Sequence, residues 1–173
     1  MSHAEESNPN GEHPPRIAGA MRRRTDTGAL LREMAAISQQ ELEADRVTLW
    51  RYHVEDDTIE FLACSGLSLS RSEHMMGRRA PVTTSGLATA VRELQPVMMF
   101  DSLVSTGGSE TEQWEMQQLG IRTMLVVPCM DEGKLFGLMS AGYRTGRSVP
   151  PGVLQTAETL SNSVAKAIAQ TWE

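Results

Sequence analysis

The fold of this chain is indicated most clearly by residues 119–128, LGIRTMLVVP. The aliphatic and β-branched run within this stretch is typical of a buried strand. It is followed at residues 131–133 by Asp-Glu-Gly, in which Gly133 suits the positive φ angle of a tight turn. Residues 134–143 then have the pattern of a returning strand. Because tight turns join antiparallel strands, this part of the sequence predicts a β-hairpin.

Outside this hairpin, helical and strand patterns alternate along the chain. Three segments show the apolar spacing of helices: they run from Asp26 to about Ala44, from Ser85 to Leu94, and from Pro151 almost to the C-terminus. Three further segments are rich in β-branched, aliphatic or aromatic residues and predict strands: residues 47–54, 59–64 and 97–100. Two segments show no clear period and are predicted as long loops: residues 67–82, with a short helical turn, and residues 101–120.

This order of elements predicts an α+β fold with a central, mainly antiparallel sheet of about five to six strands. We expect the terminal helices to pack on one face of the sheet. The middle helix and the two long loops then cover the other face, where we expect a cleft. Gly137 and Gly142, inside a predicted strand, indicate a bulge or the close approach of another backbone.

The composition excludes several classes of protein. The 173 residues are 40% hydrophobic and 22% charged, which suits one globular domain better than a disordered or fibrous chain. No apolar run approaches the roughly 20 residues of a membrane span, and the net charge of −6 disfavours nucleic-acid binding. The first residues lack the apolar core of a secretory signal, so we expect a cytoplasmic protein. Residues 1–25 are predicted as a disordered tail and residues 26–173 as a single domain.

Five stretches of the chain, in the same order, resemble the GAF domain, a small-molecule sensor module of signalling proteins. They are residues 44–50 (ADRVTLW), 85–97 (SGLATAVRELQPV), 119–128, 133–139 (GKLFGLM) and the last helix. The resemblance covers roughly residues 27–172. It implies a non-enzymatic sensor or regulatory domain for signal transduction. It also implies a small ligand held between the sheet and the long loops, whose binding shifts the terminal helices.

Methionine is unusually frequent, with eleven residues against eight aromatic ones. Because methionine is flexible and polarizable, we interpret this excess as the lining of an adaptable cleft for a substantially apolar ligand. In the alternative interpretation, the cleft is filled by its own methionine and tryptophan side chains, and the domain is a protein–protein interaction module. The residues that we expect at the ligand are Met98, Phe100, Asp101, Trp114, Met116, Met124, Arg78 and His74.

Enzymatic and cofactor chemistry is disfavoured by the residues present. The chain contains no recognisable nucleophile motif. Free methionine sulfoxide reductase is similar to GAF domains but uses cysteines of the central loops, whereas this chain has only Cys64 and Cys129. These two are also too few for a Cys-type zinc site, and neither matches the cysteine by which bilin-carrying relatives attach their pigment. Haem-binding relatives place a histidine before the hairpin, but residues 105–120 contain none; His74 is the remaining haem candidate, and we disfavour haem.

The last helix predicts a contact with a second copy of the chain. Between Val153 and Trp172 only Glu158 and Lys166 are charged, which is little for a helix with one face in solvent. GAF relatives dimerise through their terminal helices, so the resemblance implies a homodimer. No output domain fits in this chain, so a signalling partner would act in trans; we expect no nucleic-acid or membrane partner. The predicted dimer residues are Leu154, Leu160, Val164, Ile168 and Trp172.

Overall fold

Six strands form a single antiparallel sheet in this protein. The computed structural model describes residues 16–17, 27–82, 87–100, 120–144 and 151–171. The strands are β1 (Arg46–His53), β2 (Thr58–Ser65), β3 (Arg79–Pro81), β4 (Val97–Phe100), β5 (Thr123–Asp131) and β6 (Lys134–Tyr143). Their order across the sheet is β3-β2-β1-β6-β5-β4, with every neighbouring pair antiparallel. The predicted α+β fold with a five- to six-stranded antiparallel sheet is confirmed.

Two long helices and two short ones accompany the sheet within the described residues. The helices are α1 (Thr27–Glu41), α2 (Leu69–Met75), α3 (Ala88–Glu93) and α4 (Val153–Thr171). The apolar stripes of α1 and α4 pack in one core with side chains from one sheet face, which we call the helix-side face. The residues of α3 pack with the opposite face, which we call the cleft-side face. The predicted division of the helices between the two faces is therefore confirmed.

The β5–β6 hairpin that decides the fold has the expected turn. Both central residues adopt left-handed angles, with φ of 50° at Glu132 and 76° at Gly133, which matches the right-handed twist of the two strands. Further along β6, a side chain at Gly137 would place its Cβ only 2.0 Å from the carbonyl oxygen of Trp50. Glycine is therefore required for β6 to pair closely with β1, as the sequence predicted.

Residues 67–82 contain more regular structure than the single helical turn predicted there. Helix α2 begins after Ser68, whose hydroxyl accepts a hydrogen bond from the backbone amide of Arg71. Strand β3 then pairs with the outer edge of β2, with Ala80 opposite Ile59. A three-residue edge strand that ends in Pro81 is too short to produce an alternating pattern, and for this reason the sequence does not reveal it.

The N-terminal segment contacts the domain at the two residues described there. Ile17 is fully buried within the helix-side core. Arg16 donates a hydrogen bond of 2.8 Å to Gln40 and lies 3.4 Å from the Glu41 carboxylate, both near the end of α1. The expectation of a disordered tail is wrong at these two residues, because an isoleucine side chain is more stable in an apolar core than in water. The rest of residues 1–25 lies outside the described residues.

The structure corrects the predicted dimer interface. Leu160, Val164 and Ile168 are buried in the helix-side core of the same chain, so they hold α4 on its own sheet. The apolar side of α4 to which these three residues belong is the side that covers the sheet, so it does not form the predicted surface for a second copy of the chain. Leu154 is 44% exposed and remains available for a partner, whereas Trp172 lies outside the described residues. No helix in the described part of the chain is long and apolar enough to cross a membrane.

Candidate functional site

The cleft-side face carries a group of buried polar side chains at the centre of the sheet. Strand alternation places Val47 and Leu49 of β1 on the helix-side face, so the residues between and beside them face the other way. We call the resulting set the polar strip. It consists of Arg46, Thr48 and Trp50 on β1, Cys64 on β2 and Ser140 on β6.

Hydrogen bonds connect the members of the polar strip. The guanidinium of Arg46 donates through Nη1 to the hydroxyl of Thr48, which is one of its partners. The Thr48 hydroxyl in turn lies 3.4 Å from the Cys64 sulfur and donates to it. The indole Nε1–H of Trp50 donates to Ser140 Oγ at 3.1 Å. Because Thr48 lies opposite both Cys64 and Ser140, the strip crosses three adjacent strands.

Apolar side chains surround the polar strip. The ring of Trp50 packs edge-on against Phe61, with centroids 5.6 Å apart and an interplanar angle of 88°. Further apolar residues of the same core come from β4, β5, β6, α3 and the residue that precedes α3: Met99, Met124, Val126, Leu138, Ala90, Val91 and Leu87. The face thus combines an apolar surface with a few convergent polar groups, which is the usual composition of a small-molecule site.

Arg46 contributes a buried basic side chain to this face. Its side chain is fixed in the buried layer, with only 1% of the residue exposed. A guanidinium stays protonated at physiological pH and donates through five N–H groups, so it favours an anionic or strongly polar acceptor. Among the described residues, no cluster of histidine, cysteine, aspartate and glutamate is suited to a metal ion.

The two cysteines lie on opposite faces of the sheet. Cys64 belongs to the polar strip and is half-buried, whereas Cys129 is fully buried in the helix-side core. Burial raises the pKa of the Cys129 thiol far above its ordinary value, because a thiolate there would lose its hydration. Cys129 is consequently unreactive, and the sheet separates it from Cys64.

The structure places two of the predicted ligand residues on β4 and β5, but on different faces. Met124 lies on the cleft-side face, as expected. Met98 packs against the helix-side core, because it is paired with Leu125. The neighbouring Met99, paired with Met124, occupies the cleft-side position instead. The assignment of Met98 to the cleft is therefore wrong by one residue, which reverses the face in a strand.

The other predicted ligand residues are not brought into the polar strip by any described contact. His74 and Arg78 are exposed on α2 and in the turn after it, with Arg78 Nη2 2.8 Å from His74 Nε2. Since arginine can only donate, Nε2 of the imidazole is the acceptor in this contact. For Phe100 the structure describes only the backbone. Three predicted residues lie outside the described residues: Asp101, Trp114 and Met116.

The polar strip itself was not predicted, although its pattern is visible in the sequence. Arg46, Thr48 and Trp50 alternate with apolar Val47 and Leu49 along β1. Such alternation usually indicates a strand with one face in water, so it does not reveal that the polar side is buried. Ser140 gives no signal of its own, because its position opposite Thr48 depends on the β1–β6 register.

Comparisons with known proteins agree with this architecture. A family model described as GAF domain matches residues 26–168. Three solved structures have a similar fold. Each shares less than 20% sequence identity with this chain, so the similarity concerns the fold alone. A GAF domain of a phosphoenolpyruvate-protein phosphotransferase from Coxiella burnetii superposes with a TM-score of 0.74 and 15% identity, over 89% of each chain.

The other two solved structures hold small molecules. The phycocyanobilin-bound GAF domain from a cyanobacterial phytochrome has a TM-score of 0.65 and 19% identity, covering 90% of this chain and 91% of its own. The free methionine-R-sulfoxide reductase from Neisseria meningitidis, in complex with its substrate, has a TM-score of 0.68 and 16% identity. The match covers 91% of this chain and 86% of the reductase chain. A search of curated proteins found no match.

Proposed function

The chain belongs to the GAF domain family, and from this membership we propose that it is a non-enzymatic, cytoplasmic sensor whose cleft-side face binds a small molecule. GAF domains are sensor and regulatory modules of signalling proteins. The single observation that carries the proposal is the buried polar strip within an otherwise apolar sheet face. In this proposal, ligand binding changes the packing of α1 and α4, through which the domain signals to a partner protein in trans.

The contrast with the helix-side face supports a binding role for the polar strip. Val47, Leu49, Met139 and Ala141 occupy the helix-side positions of the two central strands, and all four are apolar. Side chains that only needed to stabilise the sheet would be apolar on both faces, since a buried polar group without a partner costs roughly 1–3 kcal/mol. The polar strip therefore suits recognition better than simple packing.

Two further observations support a regulatory rather than an enzymatic role. The phytochrome GAF domain holds phycocyanobilin and the Neisseria reductase holds its substrate, so this fold accommodates small molecules in other proteins. In this chain, however, Cys64 and Cys129 lie on opposite faces and cannot approach each other to exchange a disulfide. We therefore propose binding without redox turnover.

Native mass spectrometry of the freshly purified protein, with an absorbance scan, tests the proposal. We expect a small molecule that is retained in the native spectrum and lost on denaturation. Val126 lies opposite Ser140 on the cleft-side face, so Val126→Phe places a bulky ring against the polar strip and should abolish retention. Leu154→Phe, on the exposed surface of α4, is the matched control and should retain the molecule. Equal retention by both variants would contradict binding at the cleft-side face.

A second candidate function is a protein–protein interaction module with a closed cleft. The observation that favours it is the burial of Arg46, Thr48, Met99 and Met124 by the chain itself. In this reading α4 supplies the partner surface, around the exposed Leu154, and the partner is a second copy of the chain. Light scattering at high micromolar concentration should then show a dimer that Leu154→Glu converts to a monomer, while a monomeric wild-type protein would contradict it.

A further inference from the structure

We infer that the ligand of the cleft-side face is a small organic acid, with one anionic group at Arg46 and Ser140 and an apolar body over the methionines. This inference rests on the proposed function and specifies its ligand. It depends on four features of the polar strip and its surroundings: the single buried cation, an unused hydroxyl proton, the spacing of the two groups, and the apolar lining.

The first feature is the charge. Among the described residues, Arg46 is the only arginine or lysine with a buried side chain. The guanidinium presents its N–H groups in a planar fork that matches the two oxygens of a carboxylate. Burial strengthens the attraction between opposite charges, since the surrounding dielectric constant is lower than that of water. One buried cation suits an acid with one negative charge better than the several charges of a nucleotide phosphate.

The second feature is the hydroxyl of Ser140. Its oxygen accepts the hydrogen bond from Trp50 Nε1, so the indole N–H has an acceptor. The Ser140 hydroxyl proton has no acceptor among the described residues, although the residue is almost completely buried. A buried donor without an acceptor is costly, and an acceptor atom on a ligand would remove this cost.

The third feature is the relative position of the two groups. Ser140 lies opposite Thr48 in the β1–β6 register, and Arg46 precedes Thr48 by two residues on the same strand. Arg46 and Ser140 are therefore diagonal neighbours, and the Cβ atoms of such a pair are about 7 Å apart in a sheet. A ligand group with two acceptor oxygens can lie between the Arg46 guanidinium and the Ser140 hydroxyl. Opposite Arg46 stands Gly142, which adds no side chain, and Ile121 packs over it.

The fourth feature is the apolar lining beyond the polar groups. Met99 and Met124 are paired across β4 and β5, and Leu138 lies beside Trp50 on β6. Methionine adapts its shape to an apolar ligand, and burial of each CH₂ group favours binding. The arrangement therefore selects a ligand with one acidic end and an apolar remainder.

Cys64 provides a local reporter for a test of this inference. Its sulfur lies 3.4 Å from Thr48 Oγ1 within the polar strip, whereas Cys129 is fully buried and serves as an internal silent thiol. The measurement is the rate at which iodoacetamide alkylates Cys64 in the full chain. The probes are hexanoate and phenylacetate, each compared with its neutral amide of the same shape. We expect the acids to slow alkylation several-fold at saturation and the amides to have little effect.

Variants of the two donors make the test specific. Arg46→Met should weaken the affinity for hexanoate at least tenfold, since it removes a charge-assisted hydrogen bond. If this variant does not fold, Ser140→Ala should still weaken the affinity about threefold to tenfold while it leaves the charge in place. Arg32→Met, an exposed arginine on α1 and outside the cleft-side face, is the matched control and should bind hexanoate as the wild-type protein does.

The results that would contradict the inference also show whether the proposed binding face fails with it. Protection of Cys64 by the amides as strong as that by the acids would overturn the acidic ligand and leave the proposed binding face intact. Equal response of the wild-type protein and Arg46→Met to hexanoate would also overturn it. If neither acids nor amides protect Cys64 and native mass spectrometry finds no retained molecule, the inference and the proposed function both fail.

Discussion

Neighbouring residues of the central strand meet opposite surroundings on the two faces of the sheet. Val47 and Leu49 pack under α1 and α4 in an apolar core. Arg46 and Thr48, on the same strand and equally buried, belong to the polar strip of the cleft-side face. Burial is therefore the same on both faces, while the chemistry differs. Polar content, rather than burial, identifies the face that is suited to recognition.

The elements that cover the two faces differ in size as well. Helices of 15 and 19 residues cover the helix-side face, whereas the helices that contribute side chains to the cleft-side core, α2 and α3, have seven and six residues. Long helices with continuous apolar stripes bury more surface and contribute more to the free energy of unfolding. The helix-side face thus acts as the scaffold, and substitutions on the two faces should affect different measurements.

The largest effect is expected at the centre of the helix-side face. Leu160→Ala removes a buried side chain of α4 and leaves a cavity, which should lower the free energy of unfolding by about 3 kcal/mol. Urea unfolding followed by circular dichroism measures this loss. Leu154→Ala, on the exposed surface of the same helix, is the control and should change stability by less than about 0.5 kcal/mol. Similar small losses in both variants would contradict the scaffold role of this face.

The next effect extends the scaffold to the N-terminal segment. Ile17→Ala should lower the free energy of unfolding by about 2 kcal/mol, because Ile17 is fully buried in the helix-side core. Arg16→Ala removes only an exposed ion pair and should cost less than about 0.5 kcal/mol. If Ile17→Ala is as stable as the wild-type protein in urea unfolding, the segment does not belong to the scaffold.

An alkaline loss of stability is expected from a buried phenol on the helix-side face. Burial, with the nearby carboxylates of Glu43 and Asp45, raises the pKa of Tyr143 to about 12, and its phenol donates a 2.8 Å hydrogen bond to the Leu42 carbonyl. The unfolded phenol loses its proton near pH 10, so this stabilisation is complete below pH 10 and falls between pH 10 and 12. The loss should reach about 2 kcal/mol at pH 12.

Urea unfolding between pH 8 and pH 12 measures this dependence. In Tyr143→Phe no phenol titrates at this position, so its stability should fall less steeply above pH 10 than that of the wild-type protein. Parallel curves for the two proteins would show that Tyr143 does not contribute to the alkaline transition.

The smallest effect is expected for Thr48→Val, which is compared with the reciprocal substitution Val47→Thr on the same strand. Thr48→Val removes an acceptor from Arg46 and a donor from Cys64, and should cost about 1 kcal/mol. Val47→Thr places a hydroxyl in the apolar helix-side core and should cost about 2 kcal/mol. Only Thr48→Val should also weaken ligand binding. If the two variants lose the same free energy of unfolding and bind the ligand equally well, the proposed difference between the two faces is contradicted.

Much of the fold could be predicted from the sequence because its signals are local. The β5–β6 hairpin, the short strand β4 and the amphipathic α4 all follow from alternation, turn residues and helical spacing. Strand β3 could not be predicted, since three residues show no period.

The candidate site was less accessible to sequence reasoning because it depends on register. Which methionine of β4 faces the cleft is decided by the pairing of Met99 with Met124, and one residue of shift reverses it. The polar strip likewise joins residues 46 and 140, which only the β1–β6 pairing brings together. The burial of Arg46 depends on the whole fold, so local sequence patterns do not report it.

The central claim is that the cleft-side face binds the ligand while the helix-side face serves as scaffold. Methyl NMR of protein labelled with ¹³C at the methionine methyl groups tests it directly, because both faces carry buried methionines. Titration with hexanoate should shift the signals of Met99 and Met124 on the cleft-side face and leave those of Met34 and Met139 nearly unchanged. Larger shifts at Met34 and Met139 would contradict the claim, as would no shift at any of the four together with no retained molecule in native mass spectrometry.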